Sequence, residues 1–170
     1  VVPSRVKTIG ELAFNYANLE TVYLPEGITR IETFGFYEIP RLANVYSYVP
    51  NGAVEDTAFT SQEALGKVYL SLPEGLEFIG SDAFTQCQAL TYMYIPASVK
   101  EIGHHAFWDT CYKEDGNVVG VNVMNVAVDE DAFKSDVETG DEWRPQYDFL
   151  LFKKSIDINY SAERQPMPTK

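Results

Sequence analysis

The chain has 170 residues, 45% hydrophobic, 14% aromatic and 22% charged, the make-up of a foldable globular sequence. Thirteen Lys plus Arg stand against twenty-five Asp plus Glu, a formal charge of −12. That excludes the basic footprint that nucleic acid or an anionic membrane surface demands, and no apolar run approaches the 18 residues of a membrane-crossing helix.

In chain order, one pattern recurs. A small residue followed by Phe, with an aliphatic residue five positions before the Phe, occurs as Ile9…Ala13-Phe14, Ile31…Gly35-Phe36, Val54…Ala58-Phe59, Ile79…Ala83-Phe84, Ile102…Ala106-Phe107 and Val128…Ala132-Phe133. After the Phe comes L-x-x-V-x-L: Leu19/Val22/Leu24, Leu42/Val45/Ser47, Leu65/Val68/Leu70, Leu90/Met93/Ile95 and, after a longer gap, Val123/Val126/Val128. A Pro opens each unit, at 3, 25, 50, 73 and 96. In four units a V-x-x-I pair follows it: Val6/Ile9, Ile28/Ile31, Leu76/Ile79 and Val99/Ile102. A period of this length belongs to coils that bury their apolar faces only by stacking.

The alternation in V-x-L predicts a strand, and equivalent strands of successive coils should pair in parallel. The V-x-x-I pair predicts a short extended piece and a turn, with Gly10, Gly80 and Gly103 at the bend. The x-x-A-F-x-x stretch is too short for a free helix and predicts a single helical or 3₁₀ turn with the Phe inward. The third unit lacks two residues between Pro50 and Phe59, and the fifth carries about ten extra between Cys111 and Val121, where Asp115-Gly116 predicts a protruding hairpin or loop.

The strings IPASVKEIGHHAFWDTC (95–111) and LPEGLEFIGSDAFTQCQALTYMYIP (72–96) resemble the BspA-type leucine-rich repeat. The resemblance implies a right-handed solenoid of short parallel strands and one-turn helices. It divides the chain into repeats over 1–133 (five units and a partial sixth) and a C-terminal cap and tail over 134–170. In that cap a short helix and Trp143 would seal the last coil, with Phe149–Phe152 adding a strand or packing on it; residues 161–170 read as frayed. The resemblance also implies a bacterial cell-surface or secreted location and a protein or glycoprotein ligand. Cys87 fills the family's inward Cys position, and Cys111 stands one residue beyond it in the next coil. Both a disulfide and two buried thiols stay open.

Functional candidates follow from the strand alternation. Tyr23, Tyr46, Tyr69 and Tyr94 occupy the outward position between the inward pair, and about 5 Å between strands would stack them as a ladder that Ala127 ends. Asn44, Lys67 and Tyr92 flank it. The row reads either as stacking that stabilises a wet sheet face or as a contact platform for protein or glycan. Nothing reads as catalytic: His104 and His105 are the only imidazoles and sit side by side in a turn position, and no phosphate-binding glycine loop occurs. No metal or cofactor is expected. Nine acids against two Lys between Cys111 and Glu142 carry −7 of the charge without a calcium-loop pattern, and an Asn-Tyr-Ser sequon stands at Asn159. The sequence therefore reads as a non-catalytic adhesion module, with a structural spacer of a larger cell-envelope protein as the alternative.

Overall fold

A computed structural model of the protein describes residues 1–50, 65–90, 92–103, 105–107, 110, 123–129 and 157–168. Two sets of strands organise it. The V-x-x-I pairs end in two-residue strands β1 (Thr8–Ile9), β3 (Arg30–Ile31), β6 (Phe78–Ile79) and β8 (Glu101–Ile102). These pair in parallel in that order, Ile9 with Ile31 with Ile79 with Ile102. The four isoleucines are at most 3% exposed. A β-branched residue that recurs at one register position forms a continuous apolar column, which is why so short a strand persists.

The V-x-L strands are β2 (Thr21–Pro25), β4 (Asn44–Val49), β5 (Lys67–Tyr69), β7 (Met93–Ile95) and β9 (Val123–Val126), joined by β10 (Asp157–Asn159). They do not form one sheet. One sheet is ordered β2-β4-β5 and the other β10-β9-β7. The break lies at the third unit. β5 runs antiparallel to β4, with Ser47 opposite Tyr69 and Val49 opposite Lys67.

The third unit does not stand between the second and the fourth. Ile31 pairs directly with Ile79, and the Gly80 N–H donates to the Ile31 carbonyl at 2.7 Å. The Phe column skips in the same way: Phe14, Phe36, Phe84 and Phe107 stack in turn with centroids 5.0, 5.2 and 5.5 Å apart and planes within 10°. Phe59 lies outside the described residues. The expected coil order is thus corrected to first, second, fourth, fifth. The sequence carries two marks of the break: the third unit lacks the V-x-x-I pair, and the L-x-x-V-x-L pattern just before it ends on Ser47 where other units have an aliphatic residue.

In the four units where it is described, the A-F stretch is not a helical turn. It is a staircase of β-turns. In the first unit the Ala13 N–H donates to Gly10 O, Asn15 to Leu12 O and Ala17 to Phe14 O. The third residues of the outer two turns, Leu12 and Tyr16, have φ of 58° and 56°, the positive value a type II turn needs there. Phe34 and Glu38, Asp82 and Gln86, and His105 repeat the arrangement. Alternate N–H groups are thereby aimed at the neighbouring coil: Phe34, Phe36 and Glu38 donate to Ser81, Ala83 and Thr85 at 2.8 to 3.0 Å. A helical turn would spend those donors within its own unit. Cys87 is fully buried, and its thiol donates to the Phe36 carbonyl at 3.0 Å.

The last repeat strand is offset from the sequence reading by two residues. Met93 pairs with Met124, Tyr94 with Asn125 and Ile95 with Val126. Asn125, not Ala127, continues the position of Tyr94. β10 then adds to β9 in parallel, Asn125 with Asn159. Tail residues 161–168, expected to fray, are bonded instead: Ser161 and Ala162 donate to Val128 O and Val126 O, and Met167 donates to Val68 O. The inserted loop after Cys111, Cys111 itself, His104, most of the acidic stretch, Trp143 and Phe149–Phe152 lie outside the described residues.

Candidate interaction face

The four-tyrosine row is realised in fragments. β2 and β4 are in register, so Tyr23 and Tyr46 stack with centroids 5.2 Å apart and planes at 25°. Tyr46 is only 9% exposed, and Tyr23 is half-buried. Burial, with a smaller contribution from Tyr23, raises the Tyr46 hydroxyl above the ordinary phenol range. Tyr69 does not join the stack. Reversal of β5 sets it opposite Ser47, where its ring lies 3.8 Å from the Arg164 guanidinium. Tyr94 belongs to the other sheet. It is 4% exposed, its hydroxyl donates to the Glu74 carboxylate at 3.4 Å, and burial pushes it up to about 12.

Of the flanking candidates, Asn44 is half-buried and Lys67 exposed. Tyr92 is half-buried, and its hydroxyl oxygen is buried with no hydrogen-bond partner among the described residues. The half-open members of the row are therefore Tyr23, with Thr21 and Asn44 beside it, and Tyr69, over whose ring Arg164 lies. Beyond Tyr94 the position is asparagine: Asn125 donates to Met93 O at 3.4 Å, and Asn159 Nδ2 donates to Asn125 Oδ1 at 3.0 Å. The sequon nitrogen thus takes part in an amide ladder.

Sequence reading missed a polar cluster at the break between the sheets. Arg164 of the tail is bonded to Glu26, Ser47 and Ser71, lies 3.7 Å from Glu74 and stacks on Tyr69. Its side chain is 16% exposed and that of Glu26 is 19%. Burial lowers the guanidinium to about 10, so it stays cationic at neutral pH. The one sequence signal for this site was Ser47, a hydroxyl in an aliphatic position; it is fully buried, with its oxygen 2.8 Å from that of Ser71. Arg164 lies 117 residues further on, beyond the reach of any local pattern.

A second aromatic group lies on the turn edge. Tyr16 is 66% and Leu12 49% exposed. Tyr37 meets Tyr16 and Phe34 edge-on at 6.2 and 5.1 Å. A hydrogen bond with the Glu38 carboxylate, ahead of burial, pushes Tyr37 up to about 12.

Among the described residues no three His, Cys, Asp or Glu side chains gather as metal ligands, and no helix is long and apolar enough to cross a membrane. No curated protein matches the chain. A family description does: six copies of the BspA type leucine rich repeat region over residues 1–113. With stacked parallel strands carrying that repeat over more than half its length, the chain belongs to the BspA-type leucine-rich repeat family.

Proposed function

We propose that the chain is a non-catalytic adhesion module of a bacterial cell-surface or secreted protein, binding a host protein or glycoprotein. Family membership supports the coarser part, a repeat module for protein interaction. The observation that carries the finer part is the Tyr23–Tyr46 stack. Tyr46 is held nearly closed, and it presents the half-open Tyr23 ring beside Thr21 and Asn44. A rigid ring next to polar side chains offers contact area at small entropic cost. Tyr69, Tyr92, Tyr94 and Lys67 complete the proposed surface, Tyr94 mainly as support because it is buried.

The test is a screen of the chain against immobilised host matrix proteins and glycans, repeated with Tyr23→Ser. Binding that falls at least tenfold with an unchanged melting curve supports the reading. A ligand whose binding ignores Tyr23→Ser overturns the face. The second reading, a structural spacer without its own ligand, is favoured by the burial of Tyr46 and Tyr94. It predicts silence across the screen and a lowered melting temperature for Tyr46→Ser.

A further inference from the structure

The antiparallel turn of β5 leaves that strand with one edge against β4 and the other facing the tail. The Leu70 N–H donates to Gln165 O at 3.0 Å, the Met167 N–H donates to Val68 O at 2.9 Å, and Pro166 stands opposite Tyr69. Pro166 has no N–H, and none is needed there. The tail is an added strand, anchored at its start by one side chain, Arg164.

The seat of that side chain is built by the body of the protein. The Glu26 carboxylate is held by the Glu74 backbone N–H at 2.8 Å, and the Glu74 carboxylate by the Tyr94 hydroxyl. Ser47 and Ser71 are fixed on each other. None of these contacts uses the tail. One largely buried carboxylate (Glu26), one exposed carboxylate at the rim (Glu74), two hydroxyls and an aromatic face are thus oriented around one cation. A planar fork of five donors that also stacks on a ring satisfies all of them; a lysine ammonium does not.

We propose that this seat is a binding site for an arginine side chain on an extended segment. It is filled in cis by residues 164–167 and open to exchange with a partner segment of the form Arg-x-Pro-x. The tail is then a displaceable latch. Its arginine reads the two glutamates, and its backbone reads the β5 edge. The partner class is an extended, arginine-bearing peptide that adds a strand to an exposed sheet edge. This site borders the tyrosine face: it shares the Tyr69 ring and rests on the Tyr94 hydroxyl, but it does not use the Tyr23–Tyr46 stack.

The probe is a fluorescent peptide of residues 160–168, followed by anisotropy against the full chain. The R164A chain is expected to bind it saturably, at least tenfold more tightly than wild type, whose own tail competes. Replacing the peptide's arginine with citrulline, or adding E26Q to the R164A chain, is expected to weaken binding at least tenfold. Equal binding to R164A and wild type, or indifference to the peptide's arginine, overturns the proposal. Hydrogen exchange on wild type with excess peptide keeps the test decisive if R164A does not fold. The Met167 amide should then exchange faster while Leu70, re-bonded by the incoming carbonyl, stays protected. An unchanged Met167 rate overturns the latch.

Discussion

At Gly80 and Gly103 a Cβ atom would lie 2.3 Å from the backbone nitrogens of Thr33 and Ser81 in the preceding coil. At Gly10, the same position in the first coil, it would meet nothing within 4 Å. None of the three has positive φ, so the requirement is one of space alone. Gly103→Ala should cost about 3 kcal/mol by forcing two coils apart. Gly10→Ala should be neutral or stabilise by about 0.5 kcal/mol through the unfolded chain. Paired urea melts check both. Tyr48 gives a pH test. It is fully buried, its hydroxyl donates to Val2 O at 2.7 Å, and burial pushes it up to about 12 from an ordinary 10. Below pH 10 both folded and unfolded states keep the proton. Between 10 and 12 the unfolded chain ionises first, so stability falls as pH rises through that window, by roughly 2–3 kcal/mol from this group. Tyr48→Phe should remove that part of the alkaline loss while costing about 1 kcal/mol at pH 8.

Strands and turns were legible to different degrees. The V-x-x-I strands followed from the sequence because aliphatic residues recur at one position in four units. The alternation in V-x-L likewise located the strands, but alternation is blind to direction and to a two-residue slip. Both errors occurred, in β5 and β9. The turn staircase was illegible because Leu12, Tyr16, Phe34 and Gln86 are not residues that advertise positive φ. Their strain is offset by the bonds that neighbouring N–H groups make between coils. The stacked Phe column supplies the element-scale prediction. Phe84, buried between two rings, should cost about 3–5 kcal/mol on change to Ala, and the half-buried end ring Phe14 clearly less. Chemical denaturation of the two variants gives the comparison.

The whole molecule is a stack interrupted at one unit and strapped across the interruption. The repeat made the stack readable, since each coil contacts only its neighbours and one unit's sequence predicts the next. The interruption was visible as two missing residues and a serine, but not its consequence. The strap was invisible because its partners lie more than 90 positions away. For the same reason the tyrosine row was overestimated: its continuity assumed a coil that is bypassed. The most direct measurement is a nuclear Overhauser effect between the methyl groups of Ile31 and Ile79 in selectively labelled protein. Paired strands lie about 4.8 Å apart, so the direct stacking of the second coil on the fourth predicts a strong cross-peak between them. Its absence, with Ile31 contacting Val54 instead, would contradict the account.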